Sequence, residues 1–375
     1  MTENKQILAA AKRIADWYVR DLFYDGKSPA DGSFHFHVLK DTCETFPAFE
    51  WNVAFGIMGM LSAAKVFGDE KYLDSADRMA NYLRTLQIFD PFLKNAYGAI
   101  RETTPQTAWC YVRDALSGAW GFLEYYRATG KGEFLERAVL WAEWCMKYGF
   151  DDSGWPLWGV MFEDLPKGQQ RPNMCDMQGC FHGGSMNFFY QLAKTTGDKK
   201  WVGPFFEHMA DYFCTNIQQE DGYFRTLDRK TGKVPPKDPQ LGLHRGNDDL
   251  GTLGLLCAYR AIPKQMYLDA ITKFLTAVFD RQDADGNFEQ NCSAIPVILN
   301  VLHESSDVLN FTPPAGAADR ALAALLKRQF GQEKGPMFEG ALDEMNEGNV
   351  CVRSTGYSLI YLLKKYGGDD RFLTA

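Results

Sequence analysis

Two adjacent aspartates, Asp248 and Asp249, head an apolar stretch and directly follow His244, Arg245, Gly246 and Asn247. One carboxylate is enough to cap a helix, and two side by side repel each other unless a cation or a proton lies near. His244 and Arg245 are close enough in sequence to supply that charge. Further polar clusters occupy comparable places: Glu44, Glu50, Trp51 and Asn52; Arg113 and Asp114; Asp176, Gln178, His182 and Ser185; Glu289, Gln290 and Asn291; Arg353 and Ser354. Carboxylates in such a set suit cleavage of a glycosidic bond, in which one protonates the leaving oxygen and a second acts as base or nucleophile. Asp249 and Asp248 are the first candidates. Neighbours in the chain are poorly spaced to flank one bond, so Asp114 and Asp176 are the candidate partners. Arg113, Arg245, Arg353 and His244 can hold a substrate carboxylate, for which the Arg fork is a two-point match. His182, Glu50, Trp51 and Gln290 belong to the same clusters and are candidate substrate contacts.

Each of these readings has a plainer competitor. A single Asp or Ser at a helix start is an ordinary cap, and Glu50 with Arg353 could form a structural ion pair. Trp155 and Trp158, in the run Trp155-Pro156-Leu157-Trp158, offer indole faces on which sugar rings stack. Plugging their loop onto the fold is an equal use for them. Cys175, Cys180 and His182, and His35 with His37, have metal-like spacings but no second ligand pair. Packing is expected of them, and no metal. The chain has no phosphate loop, dinucleotide fingerprint or Gly-x-Ser-x-Gly elbow, so no cofactor is expected.

The elements that must position these residues repeat. Phe67-Gly68-Asp69-Glu70-Lys71-Tyr72-Leu73 returns as Thr129-Gly130-Lys131-Gly132-Glu133-Phe134-Leu135 and as Thr196-Gly197-Asp198-Lys199-Lys200-Trp201. A fourth copy, Ile262-Pro263-Lys264-Gln265-Met266-Tyr267-Leu268, carries proline for glycine, and Tyr366-Gly367-Gly368-Asp369 ends the series. The first three glycines are 62 and 67 residues apart, the signature of one repeated supersecondary unit. Residues before each hinge, such as Val53 to Val66, are small or apolar on nearly every face, as in a helix buried all round. Residues after it, such as Tyr72, Leu73, Ala76, Met79, Ala80 and Leu83, are amphipathic at helical spacing. Each unit therefore reads as an inner helix and an outer helix.

One helix, Lys5 to Leu22, opens the chain, five hairpins follow, and one inner-type helix, Ser354 to Tyr366, ends it. The fifth hairpin is Ser293–Glu304 with Ala317–Phe330. The count predicts an all-α (α/α)6 toroid over residues 1–375, a single domain closed by the N-terminal helix. Strand signals are sparse, Phe34–Val38 being the best. In such a ring the inner-helix N-termini converge, and the polar clusters would line one acidic cleft facing positive helix-dipole ends.

Charge argues against one class of partner. Forty basic and 48 acidic residues give a net charge of −8, and the basic residues are scattered, which disfavours nucleic acid as a partner. No apolar run reaches the roughly 20 residues of a membrane span, and no signal peptide is visible. Nine cysteines, an odd number mostly on apolar helix faces, fit reduced thiols and a cytoplasmic location. The oligomeric state is not read from the sequence.

His244-Arg245-Gly246-Asn247-Asp248-Asp249, with Tyr259-Arg260 at the end of the following helix, resembles the Arg-Gly-Gln/Asn-x-Trp segment of the unsaturated glucuronyl and rhamnogalacturonyl hydrolases. Ser185-Met186-Asn187 is similar to the third inner helix of that family of (α/α)6 toroids. The resemblance implies a glycoside hydrolase acting on an oligosaccharide with a terminal uronic acid. In the family an Asp just before the Ser-Met-Asn segment is general acid and base; here Gly184 holds that place and the nearest upstream carboxylate is Asp176. Asp249 replaces the family's aromatic residue, and Asp248-Asp249 resembles the Asp-Asp motif of toroidal endo-mannanases. Two alternatives use the same fold. One is a lyase or sugar epimerase that relies on His182 or His244, or on a Tyr. The other is a carbohydrate-binding toroid without chemistry.

Overall fold

The computed structural model describes residues 3–22, 30–93, 95–164, 177–237, 250–288, 294–343 and 348–375. Among these residues lie twelve α-helices and seven short strands. The chain forms two compact units, one of residues 1–83 and 278–374, the other of residues 84–277.

In the first unit α1 (Glu3–Asp21), α2 (Glu50–Phe67), α3 (Glu70–Thr85), α10 (Ala294–Glu304), α11 (Ala317–Lys327) and α12 (Val352–Gly367) are the main helices. α12 packs between α10 and α2, and α1 lies against α12. The first and last helices are thus the two halves of one pair, as their patterns predict. On α1, Ile7, Ala11, Ile14, Trp17 and Tyr18 are all buried. α2 is buried at every residue from Glu50 to Ala63, which is why its sequence has no polar stripe.

The second unit repeats the plan. α4 (Val112–Thr129), α6 (Ser185–Thr196) and α8 (Gly251–Ala261) pack in sequence order, α4 on α6 and α6 on α8. α5 (Gly132–Tyr148) backs α4, and α7 (Pro204–Tyr212) backs α6 and α8. α9 (Gln265–Asp280) follows α8. The hinges form as the motif requires. Gly68, Gly130, Gly197 and Gly368 end their helices at φ 66, 73, 72 and 72. Nothing lies within 4 Å of a Cβ built at any of them, so the demand for glycine is purely the left-handed backbone. The proline hinge differs, since Ile262 ends α8 in an extended conformation at φ −139.

A second repeat marks the opposite end of the hairpins. Gln87 Nε2 donates to Gly98 O and to Arg137 O of α5, both at 3.0 Å. Gln218 does the same to Gly222 O at 3.0 Å and Ala270 O of α9 at 2.8 Å. Gln282 reaches Gly286 O and Ala317 O of α11 at 3.1 and 3.0 Å. Gln329 reaches Gly340 O and Ala10 O of α1, both at 2.9 Å. All four glycines sit at φ 93 or 94. A Cβ on any of them would stand 2.2–3.0 Å from a carbonyl oxygen of the outer helix. Each return loop is therefore clamped backbone to backbone. The Gln-to-Gly spacing is 11 residues in the first and last of these clamps and 4 in the two between, which hides this repeat in the sequence.

The strands matter because of where they end. β1 (His35–Val38) pairs with β2 (Thr45–Pro47) and β7 (Val350–Cys351), and β7 leads straight into α12. β3 (Trp109–Tyr111) pairs with β4 (Gly159–Met161) and leads straight into α4. β5 (Met177–Gln178) pairs with β6 (Leu227–Asp228) just ahead of α6. These ladders, largely unforeseen from the sequence, hold the polar inner-helix starts in place.

Candidate functional site

At the β3–α4 junction Tyr111 is extended and Val112, Arg113 and Asp114 form the first turn of the helix. There a negative charge is favoured by the exposed N–H groups. Arg113 Nε stands 3.0 Å from Asp114 Oδ1, an ion pair without hydrogen-bond alignment. Glu102, in the loop before β3, lies under this corner and is 2 % exposed, against 9 % for Asp114. One Glu102 oxygen accepts the Tyr111 N–H at 2.6 Å. The other accepts no N–H or O–H. Burial pushes the Glu102 carboxyl well above the usual carboxylate range, and the neighbouring Asp114 pushes the same way, against the Tyr111 N–H and the Arg113 charge. The Glu102 carboxyl thus favours its neutral form beside Asp114, in a wall that faces solvent only at Asp114.

The Arg113 guanidinium completes the corner by lying 4.9 Å over the Trp158 ring and 4.4 Å over Phe181. Trp158 is 7 % exposed, and its carbonyl accepts the Val112 N–H at 3.0 Å. Trp155 is covered, stacked on Phe213 at 5.9 Å and 8° between planes and tilted against Tyr212.

His182, in the tight turn Cys180–Gly184 ahead of α6, is buried. Its Nδ1 faces Gly179 O at 3.0 Å and its Nε2 faces Leu157 O at 2.9 Å. Carbonyls only accept, so a neutral ring donates to one of them and has no nitrogen left for a substrate. Burial lowers its pKa to about 4, with Arg113 acting in the same direction and the two carbonyls and Asp114 opposing. The turn is tight at Gly183, where a Cβ would stand 2.7 Å from Gly251 Cα.

In the first unit, Glu50 opens α2, fully buried, beside Trp51, which is 9 % exposed. Arg353, in the first turn of α12, lies 5.5 Å over the Trp51 ring. Phe36 and Phe55 pack edge-on to the same ring. This corner holds an aromatic–cation pair like that of Arg113 and Trp158.

Asp176, His244, Arg245, Asp248, Asp249 and Gln290 lie outside the described residues. Of the candidates that are described, the second unit brings together Asp114, Arg113, His182, Trp155 and Trp158, and the first unit brings together Glu50, Trp51 and Arg353. Glu102 escapes the sequence reading. It lies twelve residues before Asp114 in a loop of no recognisable motif, and no spacing rule would have selected it. Cys175 also lies outside the described residues, while His35 is engaged by Asp21 through its ring at 2.9 Å. Among the described residues no group of three or more His, Cys, Asp or Glu is placed to hold a metal, and no helix is long and apolar enough to cross a membrane.

Comparison with known proteins bears on the fold. No family model matches the chain. A stretch of 95 residues is 34 % identical to glutathione S-transferase LANCL1 of Danio rerio, covering 25 % of this chain and 20 % of that protein's length. Solved structures align over nearly the whole chain. Cellobiose 2-epimerase from Bacillus thermoamylovorans superposes with a TM-score of 0.71 at 12 % identity, over 96 % of this chain and 98 % of that one. An unsaturated glucuronyl hydrolase specific for heparin gives 0.68 at 14 % identity, over 99 % and 100 %. A GH76 α-mannanase of Bacteroides thetaiotaomicron gives 0.68 at 15 % identity, over 96 % and 95 %. These are six-hairpin toroids, and the chain has their all-α (α/α)6 fold.

Proposed function

We propose that this chain is a carbohydrate-active enzyme that hydrolyses a glycosidic bond in an oligosaccharide, with Asp114 as one of the two reacting carboxylates. The observation that carries the reading is the buried Glu102 carboxyl, held towards its neutral form by burial and by the neighbouring Asp114, at an inner-helix start where only Asp114 meets solvent. A carboxyl group kept protonated by burial is what general acid catalysis near neutral pH requires. Glu102 acts through Asp114 and not on the sugar, and holds the proton that Asp114 passes to the leaving oxygen. Glu102 is buried and does not reach a substrate, whereas a glycosidic bond needs two carboxyl groups that both meet it, about 5–5.5 Å apart for retention or about 6.5–9.5 Å for inversion. The second carboxylate is therefore assigned to Asp248, Asp249 or Asp176.

The preferred substrate ends in a uronic acid. The guanidinium of Arg113, held over Trp158, supplies a cation beside Asp114 for a sugar carboxylate. The engaged nitrogens of His182 support hydrolysis over proton abstraction by that imidazole. The test is incubation of the full-length protein with acidic oligosaccharides, following new reducing ends, double-bond absorbance and epimer formation in parallel. Release of reducing ends by the parent, lost in Asp114→Asn, is expected. Epimerised or unsaturated products without new reducing ends would sink the reading.

A further inference from the structure

An open polar cavity of about 490 Å³ lies in the second unit, between the loop after α5, the end of α7 and the β6 hairpin. Its floor is a fixed hydrogen-bond network. Asp151 Oδ1 accepts the N–H groups of Ser153 and Trp155 at 2.8 and 3.1 Å and the Ser153 hydroxyl at 2.5 Å. Asp151 Oδ2 takes Gln178 Nε2 at 3.2 Å and stands 3.3 Å from Arg229 Nη2. Gln178, 6 % exposed, in turn accepts the Tyr212 hydroxyl at 2.6 Å. Every side chain in that chain is held by another, so the wall is preformed.

Two observations point to a ligand. Among the described residues the part-exposed Arg229 guanidinium meets only Asp151, through Nη2, which leaves N–H donors unspent at the cavity lining. Thr215 and Asn216, also in the lining, belong to a single π-turn, Phe213–Ile217, that continues α7. Such widened turns cost helix regularity and recur at functional sites. The lining pairs acidic acceptors, Asp151 and Asp152, with the donors of Arg229 and Asn216. That balance rejects a lone anion or a lone cation and suits hydroxyl groups, which donate and accept together.

We propose that this cavity is a second carbohydrate site, for a neutral, hydroxyl-rich ring of an oligosaccharide, separate from the Asp114 corner. A sugar hydroxyl oxygen accepts from the exposed edge of the Arg229 guanidinium, and neighbouring hydroxyls donate to the carboxylates. The site needs no chemistry at Asp114, so its failure and that of the hydrolysis reading are distinguishable.

The experiment uses full-length Asp114→Asn protein, which blocks turnover, on an array of neutral and uronate-containing oligosaccharides, followed by calorimetric titration of the neutral hits. Asn216→Trp fills the cavity from its rim, and Arg229→Met removes the donor while keeping the stem. Each variant is checked for an unchanged melting temperature, and either alone suffices. The expected result is binding of at least one neutral oligosaccharide that falls at least tenfold in the variant, while uronate-oligosaccharide binding is kept. Absence of neutral binders, or neutral binding unchanged by a folded variant, overturns the proposal.

Discussion

The same junction is built twice, once in each unit. Tyr111-Val112-Arg113-Asp114 leaves β3 for α4, and Cys351-Val352-Arg353-Ser354 leaves β7 for α12. In both, the second helical residue is an Arg whose guanidinium covers a Trp ring, at 4.9 Å over Trp158 and 5.5 Å over Trp51. The third is Asp114 in one and Ser354 in the other. Ser354 is fully buried and its hydroxyl has no partner, so the strand-to-helix turn does not depend on a polar side chain there. The carboxylate of Asp114 is therefore surplus to the local fold. Its partner Glu102 is a second surplus, because burying a carboxyl group costs stability unless the proton is kept.

Four measurements break or sharpen that contrast. The largest effect is expected at the differing position. Asp114→Asn should lower turnover by ~10²–10⁴ with the fold intact, while Ser354→Ala changes it less than about twofold. Equal effects in the two variants would mean that the junction, not the carboxylate, matters.

Trp155, at 1 % exposure, should cost about 3–5 kcal/mol of stability when changed to Ala, as for other large buried side chains. Thermal unfolding measures this. A variant that melts like the parent but binds oligosaccharide more weakly would show that the indole meets ligand in solution.

The third measurement is stability against pH. His182 is depressed to about 4, so the unfolded chain binds its proton first. Its contribution is complete above about pH 6.5 and is lost as pH falls through about 4, roughly 3 kcal/mol in all. His182→Gln should flatten that acid limb. Glu102 has the opposite sign, since its raised carboxyl gives a contribution that is complete below the unfolded carboxylate range and lost as pH rises through the folded value. Glu102→Gln, which keeps a neutral donor, should flatten the alkaline side. A reversal of either sign would mean that the corner holds its protons differently.

The smallest effects compare the units through what they share. Gln218→Ala and Gln329→Ala each remove one clamp of the same design, leaving buried carbonyls to find new donors. Each should cost about 1–3 kcal/mol, the two agreeing within about 0.5 kcal/mol by chemical denaturation. A clear inequality would show that the clamps are not equivalent.

Much of the architecture was legible because it is local. An αL glycine or a proline ends each recognised hinge, and helix periodicity separates buried inner helices such as α2 from amphipathic outer ones such as α3. The pairing of α1 with α12 followed from counting halves. Boundaries moved by a few residues, as at α2, which starts at Glu50 where the apolar stretch begins only at Val53. The Gln clamps and the ladders were not legible, because their partners lie far away in sequence and their spacing varies.

The sequence by itself determined the repeated hairpin, the helix faces and the polar residues at the inner-helix starts, because each depends on neighbours within a turn or two. Only the tertiary structure decided which carboxyl group meets which. The β3–β4 ladder fixes the start of α4 while the loop before it turns Glu102 inward beneath Asp114. Protonation then follows from burial and distance, quantities that no residue carries until the chain has folded around it.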